Sequence, residues 1–142
     1  MEKPKKHVLI LCTGNSARSQ MAEGLLRHRA GDRFNVESAG TKPSRVRPEA
    51  IQVMKELGVD ISAQRTKHVD EFSDQSFDYV LTVCDSAKEI CPIFPGAPRR
   101  LHWSFPDPAV VEGSEQERVD AFRAVRDSLD ATLAEFARAS EA

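Results

Sequence analysis

The residues of this chain that are best suited to chemistry are Cys12 and Arg18, in the run Cys12-Thr-Gly-Asn-Ser-Ala-Arg18-Ser19. An apolar run at residues 8–11 precedes the cysteine, and a helix-forming stretch follows the serine. Backbone N–H groups in such a strand–loop–helix turn converge on a tetrahedral oxyanion, and the helix N-terminus adds positive potential. The same field lowers the pKa of a thiol, which makes Cys12 a candidate nucleophile aimed at the bound anion.

Arg18 is a candidate for holding the anion, because its planar guanidinium offers a bidentate fork to two oxygens. The predicted oxyanion-binding residues are Thr13, Gly14, Asn15, Ser16, Ala17, Arg18 and Ser19. Ser16 and Ser19 are alternatively helix caps, and a Ser19 hydroxyl directed at the Cys12 sulfur would also stabilise the thiolate. The simpler alternatives are a structural buried cysteine and an arginine in a surface ion pair.

One carboxylate is held between two prolines, in the segment Phe105-Pro106-Asp107-Pro108. One interpretation of Asp107 is an Asp-Pro turn with no chemical role. The other is a general acid on a rigid loop, which protonates an oxygen as it leaves the bound anion. The neighbouring Trp103 and Phe105 are more typical of a core or a pocket wall than of ligand contacts.

The other two of the three cysteines, Cys84 and Cys91, are two unrelated buried thiols, part of a zinc site, or a redox pair. Their C-x6-C spacing lacks the paired C-x2-C or H-x3-H of common zinc sites, so we predict no metal site. If residues 85–90 form a helix, the two Cα atoms lie about 10 Å apart along its axis. A disulfide requires about 4.4–6.8 Å. A Cys84–Cys91 disulfide would therefore require this segment to unwind, which would be a conformational switch.

Composition and charge limit the classes of function. The 142 residues are predicted to form one domain, residues 1–142, that is large enough to bury a core. A formal net charge of -2 argues against binding to nucleic acid or to a membrane surface. No apolar run approaches the roughly 20 residues that span a bilayer, and three cysteines do not make a structural disulfide framework. We therefore expect a cytoplasmic protein with no nucleic-acid or membrane partner.

Hydrophobic periodicity predicts the elements that position these residues. Strands are expected at residues 8–11, 34–39, 79–83 and 100–103, and helices at residues 19–29, 48–57 and 114–139. The second helix begins at Pro48 and ends before Gly58, which are favoured residues for those positions. Ser114 and Glu117 fit a capping box at the start of the last helix.

The alternation of strands and helices predicts an α/β fold, with a four-stranded parallel sheet flanked by helices on both faces. Ligands bind beyond the carboxyl ends of the strands in such sheets. Cys12 and Cys84 each follow a predicted strand, so both are expected at that edge.

These features together resemble the low-molecular-weight protein tyrosine phosphatase family, and within it the arsenate reductase branch. The resemblance covers nearly the whole chain and is carried by residues 12–24, 37–40, 48–62, 78–84, 91–92, 102–103, 107–108 and the last helix. The phosphatase branch shares the Cys12 loop and Asp107-Pro108, but aromatic residues that clasp a phenolic substrate typically follow there, whereas Ala109-Val-Val follows here. The reductase branch typically has the CTGNS loop, a SQMAEG continuation and two further cysteines, all of which are present.

The resemblance implies a low-molecular-weight phosphatase-like fold and the reduction of arsenate to arsenite, for arsenic detoxification, with no metal or organic cofactor. Cys12 would attack arsenate, and Asp107 would protonate the departing hydroxide. Cys84 would then attack Cys12 and Cys91 would attack Cys84, which passes the disulfide to a pair that a thioredoxin-like or other thiol reductant reduces. Two alternatives stay open. One is a phosphatase that hydrolyses phosphomonoesters through phosphocysteine, and the other is a non-enzymatic oxyanion-binding regulatory module.

One group of residues departs from the family pattern. Some thioredoxin-linked members hold a potassium ion near the loop through Asn, Glu, Ser and a later Thr/Asp pair. Asn15, Glu23 and Ser38 match the first three of these residues. Arg65 and Lys67 stand where the later pair would lie. Because basic side chains repel a cation, we expect no potassium site and consider the Lys67 ammonium its electrostatic replacement.

Overall fold

A parallel sheet with the strand order β2-β1-β3-β4 forms the centre of the molecule. The structure is a computed structural model that describes residues 5–83, 95 and 98–139. The strands are β1 (Lys6–Cys12), β2 (Phe34–Gly40), β3 (Tyr79–Thr82) and β4 (Arg99–His102). The described α-helices are α1 (Arg18–Ala30), α2 (Pro48–Lys55) and α3 (Glu115–Ala139), and short 3-10 helices span Val69–Phe72 and Pro108–Val110. The predictions for Cys84, Cys91 and a helix at residues 85–90 lie outside the described residues.

The strand β1 lies between β2 and β3, and its register brings three strand ends to one edge of the sheet. Cys12 lies opposite Gly40 of β2, and Leu11 lies opposite Thr82 of β3. The consecutive residues 8–12 are all buried, a pattern typical of a parallel strand that is covered on both faces. The predicted fold class, an α/β protein with a four-stranded parallel sheet, is confirmed.

A helix packed on a sheet is usually buried along one apolar stripe, but in α1 residues 19–26 are all buried. Three of these buried residues, Ser19, Gln20 and Glu23, are polar. The side chains of Ser19 and Gln20 hydrogen-bond to Asn15, and that of Glu23 to Ser38. Buried polar groups need such partners. The polar residues of α1 can therefore be buried because Asn15 and Ser38 lie next to the helix and form hydrogen bonds with them. The periodicity therefore predicted the helix correctly but not its exposure.

The predicted signals at the helix ends are confirmed by their hydrogen bonds. After α2, the N–H of Gly58 donates to Lys55 O (2.9 Å) and the N–H of Val59 donates to Met54 O (3.1 Å). Gly58 has a φ of +75°, so this is a Schellman motif that requires the left-handed conformation glycine adopts readily. At the start of α3, the N–H of Glu117 donates to Ser114 Oγ (3.1 Å) and the N–H of Ser114 donates to Glu117 Oε1 (3.4 Å), which together form the predicted capping box.

The apolar face of α3 joins this helix to the sheet. Apolar residues spaced three or four positions apart along this helix are all buried, namely Val119, Phe122, Val125, Leu129, Leu133 and Phe136. The ring of Phe136 packs edge-on against Tyr79, with centroids 5.0 Å apart, and against Trp103 at 6.1 Å. Trp103 therefore belongs to the wall of the core, as predicted. No helix in the described ranges is long and apolar enough to cross a bilayer.

Candidate active site

Cys12 is the last residue of β1, at the carboxyl edge of the sheet, and is only 3% exposed. Residues 13–17 form the loop that follows, which we call the oxyanion loop, and Arg18 begins α1. A strand, a short loop and a helix therefore place the thiol and the guanidinium at the two ends of one turn. This is the arrangement that the sequence predicted.

The carbonyl groups of the oxyanion loop are held by residues 41–47, which run alongside it. Backbone N–H groups of this segment donate to four carbonyls of the nucleophile and loop: Thr41 to Cys12 O (3.3 Å), Lys42 to Thr13 O (2.9 Å), Ser44 to Gly14 O (3.0 Å) and Arg47 to Ser16 O (2.9 Å). The segment therefore fixes the direction of the loop's peptide groups. Because carbonyl and N–H point to opposite sides of a peptide, the amides next to these carbonyls are turned away from residues 41–47.

Several backbone N–H groups of the oxyanion loop are available to donate to a ligand. In the described part of the chain, the N–H groups of residues 14–17 donate to no backbone carbonyl. The residue before α1 is Ala17, and no side chain caps the helix, so the alternative role of Ser16 or Ser19 as its cap is wrong. Buried N–H groups require a partner, and an uncapped helix N-terminus attracts negative charge. The loop is therefore a ready site for a small oxyanion.

Gly40 at the end of β2 lets the loop lie close to the sheet. A Cβ atom at this position would lie 2.5 Å from Thr13 O and 2.9 Å from Asn15 N. Contacts this short are not tolerated, so any larger residue would displace the loop that follows Cys12. Gly40 belongs to residues 37–40, which carry part of the family resemblance, and the close approach of two backbones is the physical reason for a glycine there.

Asn15 supports the loop with its side chain. It is fully buried, and its φ of +48° lies in the left-handed region, which asparagine tolerates better than most residues. Its Nδ2 donates to Ser19 Oγ (2.8 Å) and Ser38 Oγ (2.9 Å). Its Oδ1 accepts from Gln20 Nε2 (3.0 Å) and from the N–H of Lys67 (2.9 Å). The amide thus uses all its donors and acceptors, and the side chain supports the loop from beneath.

A buried ammonium group lies beside this network. Lys67 Nζ is 3.1 Å from Glu23 Oε1 and 2.8 Å from Glu37 Oε2, and Ser38 Oγ donates to the same Glu23 oxygen (2.7 Å). Arg27 pairs with the second Glu23 oxygen at 3.1 Å. The positive charges next to Glu23 are thus supplied by the chain itself, and the residues do not fit a potassium ion in addition. Among the residues described, no group of three His, Cys, Asp or Glu is arranged to hold a metal ion.

The predicted general acid lies next to the predicted anion-binding arginine. Arg18 Nη2 is 3.6 Å from Asp107 Oδ2, and Arg18 Nη1 donates to Phe105 O at 3.1 Å. Asp107 Oδ1 accepts from the N–H of Ala109 (2.9 Å), so this carboxylate also caps the 3-10 helix Pro108–Val110. Asp107 is therefore a turn residue that also lies beside the predicted anion-binding arginine, and its role as a general acid stays a prediction.

The structure thus brings Cys12, residues 13–19 and Asp107 together, while Cys84 and Cys91 lie outside the described residues. Arg47, whose Nη2 lies 3.4 Å from Ala109 O in the Asp107 turn, was not predicted from the sequence. The support that Gln20 gives to Asn15 was not predicted either. The Arg47–Ala109 contact joins residues 62 positions apart, which no local signal identifies. Gln20 lies only five residues from Asn15, but a glutamine in a predicted helix does not indicate which side chain it contacts.

Comparisons with known proteins agree with this geometry. Residues 7–141 match the model of a family described as low molecular weight phosphotyrosine protein phosphatase. The chain is 44% identical to an arsenate reductase of Halalkalibacterium halodurans over 94% of this chain and 96% of that protein. It is 43% identical to an arsenate reductase of Bacillus subtilis over 93% and 95%. A solved structure described as an arsenate reductase in the phosphate binding state is 30% identical, covers 92% of this chain and 95% of its own, and has a TM-score of 0.75.

Proposed function

The chain belongs to the low molecular weight phosphotyrosine protein phosphatase family, and we propose that within this family it is an arsenate reductase. The observation that carries the proposal is sequence identity: the chain is 44% and 43% identical to two proteins named arsenate reductase, over nearly the full length of this chain and of each relative. The site geometry supports it, because arsenate is a tetrahedral oxyanion of the kind that such a loop binds.

In this proposal, arsenate lies against the amides of residues 13–19. The guanidinium of Arg18 bridges two of its oxygens as a bidentate donor. Arg18 is only 12% exposed at its side chain, so its charge acts on the anion with little screening by solvent. The hydroxyl of Ser19, whose oxygen accepts from Asn15, is assigned as a donor to the Cys12 thiolate.

The first chemical step is attack by the Cys12 thiolate on arsenic. An S–As bond forms while one As–O bond breaks, and Asp107 gives its proton to the departing oxygen, which leaves as water. Asp107 is 36% exposed at its side chain, which lets the carboxylate recover a proton from solvent before the next turnover. Arsenic is still As(V) at the end of this step.

Reduction follows when a second thiolate attacks the Cys12 sulfur. We assign this role to Cys84, in line with the family resemblance. A Cys12–Cys84 disulfide forms, and the electron pair of the S–As bond leaves with arsenic, which departs as arsenite, As(III). Cys91 then attacks Cys84, forms a Cys84–Cys91 disulfide and returns Cys12 to the thiolate. An external dithiol, thioredoxin-like or another thiol protein, reduces that disulfide.

The cellular setting of the reaction is part of the proposal. Each cycle consumes two reducing equivalents from thiols, and a steady supply of reduced thiols is a property of the cytoplasm. We therefore propose a cytoplasmic protein whose role is detoxification of arsenate. The residues present account for the proposed chemistry without an organic cofactor.

The test is steady-state arsenate reduction by the purified protein with three reductants in turn: thioredoxin with its reductase, glutaredoxin with glutathione, and a small dithiol. Hydrolysis of an aryl phosphate is measured in parallel. We expect arsenite to form with at least one protein reductant and to stop in Cys12→Ser. Cys84→Ser should lose arsenite turnover and keep any weak phosphatase activity, because phosphate-ester hydrolysis needs only Cys12, Arg18 and Asp107.

The alternatives give different results in the same assays. Efficient aryl phosphate hydrolysis that persists in Cys84→Ser and Cys91→Ser, with no arsenite formed, would make the protein a phosphatase. Arsenate and phosphate binding with no turnover of either substrate would leave an oxyanion-binding module. In that case Cys12→Ser should bind the anions as well as the unmodified chain does.

A further inference from the structure

Both the N–H and the carbonyl of Ala109, in the turn that carries Asp107, form hydrogen bonds with side chains. The N–H of Ala109 donates to Asp107 Oδ1 (2.9 Å), which orients the carboxylate. The carbonyl of the same residue faces Arg47 Nη2 at 3.4 Å. Arg47 is itself attached to the oxyanion loop, because its backbone N–H donates to Ser16 O (2.9 Å). A continuous set of contacts therefore runs from the oxyanion loop, through Arg47 and Ala109, to the carboxylate.

Arg18 holds the other end of the same turn, through Phe105 O at 3.1 Å. Under the proposed function, however, Arg18 must also bind the anion, so its contacts with the turn change during each cycle. Arg47 reaches the turn from the supporting side of the loop, through the residues that hold the loop's carbonyls. Its contact is thus suited to stay in place while Arg18 engages the anion.

The state of the Arg47 guanidinium also needs an explanation. Within the described residues, Arg47 Nε is buried and has no hydrogen-bond partner. A buried donor without a partner costs free energy. In the described structure, the terminal nitrogen Nη2 of the same guanidinium contacts Ala109 and so gives this arginine a role in holding the Asp107 turn.

We propose that Arg47 is a positioning residue for the general acid: it fixes Ala109, and through Ala109 the Asp107 carboxylate, relative to the anion on the oxyanion loop. The inference rests on the proposed function, because it requires Asp107 to act as an acid. A misplacement of about 1 Å costs on the order of 10²-fold in rate, and loss of this one contact should cause a smaller, partial misplacement. Arg47 acts only through Asp107, so its effect must vanish where Asp107 has no proton to give.

The experiment compares Arg47→Met, Asp107→Asn and the double variant in single-turnover formation of arsenite. Arg45→Met is the matched control, because Arg45 is an exposed arginine of the same segment and its loss removes the same charge. We expect Arg47→Met to react about tenfold more slowly, as partial misplacement predicts, and Arg45→Met to react normally. The double variant should be no slower than Asp107→Asn alone. Arg47→Lys, which keeps the charge and one donor, should recover part of the rate.

Phosphate affinity and thermal unfolding, measured on every variant, separate positioning from damage to the loop or the fold. The inference is overturned if Arg47→Met slows the reaction by the same factor in the Asp107→Asn background. It is also overturned if Arg47→Met reacts normally, or if Arg47→Met and Arg47→Lys both lose phosphate binding. If Arg47→Met does not fold, the same comparison with Arg47→Lys decides the question.

Failure of the proposed function has a different signature, namely that the unmodified chain forms no arsenite. The Arg47 comparison is then repeated with an aryl phosphate, where Asp107 would protonate the departing phenolate oxygen. Loss of coupling between Arg47 and Asp107 in that assay rejects the positioning role. Preserved coupling supports it, whatever the natural substrate.

Discussion

At Asn15, the backbone adopts a left-handed conformation with φ +48°, and four hydrogen bonds to the side chain keep it there. A left-handed residue other than glycine costs of order 1–3 kcal/mol, so the fold spends stability to shape this loop. The Asn15 side chain supports the oxyanion loop from beneath, so the backbone N–H groups of the loop stay available to bind an anion. Among the described residues of the oxyanion loop, the left-handed conformation therefore belongs to a buried asparagine and not to Gly14.

Cys12 should react as a thiolate at neutral pH. Loop amides, the N-terminus of α1 and the Arg18 guanidinium all stabilise its negative charge. In a chain with Cys84→Ser and Cys91→Ser, the alkylation rate plotted against pH should have its inflection well below about 8.5, the value for a free thiol. Phosphate should protect the thiol from alkylation. An inflection at the free-thiol value, or no protection, would remove the nucleophile from the proposed mechanism.

Asp107→Asn should slow the first chemical step by about 10²–10⁴-fold, which is the usual contribution of a positioned general acid. Asparagine still offers Oδ1 to the N–H of Ala109, so the turn is kept while the transferable proton is lost. Single-turnover arsenite formation measures the step, and phosphate affinity checks that the loop is intact. An unchanged rate would leave Asp107 with its structural role in the turn alone.

At the scale of elements, the ion pair between Lys67 and Glu23 ties the segment before the 3-10 helix Val69–Phe72 to α1. Lys67 and Glu23 have side-chain exposures of only 6% and 2%. We expect Lys67→Met to destabilise the fold by about 3 kcal/mol, because it removes one partner of a buried pair. Arg65→Met is the control: its ion pair with Glu71 is exposed and should contribute under about 1 kcal/mol. Urea denaturation measures the free energy of unfolding of both variants. If both lose the same amount, the buried ion pair stabilises the fold no more than the exposed one.

Two arginines of α3 hold Glu56 at the end of α2 and make the contact between these helices depend on pH. Hydrogen bonds from Arg123, and then from Arg126, lower the pKa of Glu56 from 4.5 to about 2. A carboxylate with a lowered pKa stabilises the folded state above its unfolded pKa, and this contribution is lost as the pH falls through its folded pKa. Here the loss falls between pH 4.5 and about 2.

Glu56→Gln should therefore lower the thermal unfolding temperature at neutral pH, and the difference from the unmodified chain should shrink as the pH approaches the folded pKa. Because Glu56 is solvent-accessible, the effect should be modest. Glu135→Gln, at an exposed position of α3, is the control and should show little change at any pH. A Glu56→Gln difference that is the same at pH 7 and in acid would rule out the charge as its cause.

For the molecule as a whole, hydrophobic periodicity predicted the described strands and α-helices to within two residues at each end. It could do so because the spacing of apolar residues in a strand or a helix is a local property of the sequence. The Cys12 loop was predicted for the same reason, since nucleophile, amides and arginine lie within eight residues of sequence. The contacts through which distant segments hold the oxyanion loop and the Asp107 turn were not predicted. The attachment of Gly14 O to Ser44, and of Ala109 to Arg47, depends on packing that no periodicity encodes.

The same distinction applies to the charged residues. The sequence suggested that Lys67 takes the place of a cation, and its position between Glu23 and Glu37 agrees with that hypothesis. It did not predict that Glu23 is buried, because a glutamate on a helix is usually exposed. Burial of a charged residue follows from its partners, which come here from three different segments.

The proposed reaction joins cysteines from different parts of the chain, because the disulfide that first forms at Cys12 must be transferred to a pair of thiols that an external protein can reach. Cys84→Ser should keep phosphate binding but release no arsenite, since no thiol is left to resolve the Cys12 adduct. Cys91→Ser should complete one turnover and then stop as a Cys12–Cys84 disulfide, because the oxidation has no further thiol to move to. The order of the relay therefore predicts a different trapped species for each variant.

Mass spectrometry of peptides, after one equivalent of arsenate and a thiol-blocking quench, distinguishes these species. The unmodified chain should show a Cys84–Cys91 disulfide, and Cys91→Ser should show Cys12–Cys84. Each disulfide formed accounts for two electrons, so the amount of arsenite released should equal the amount of disulfide. Continued turnover without Cys91, or a Cys12–Cys91 disulfide as the first product, would contradict the relay order.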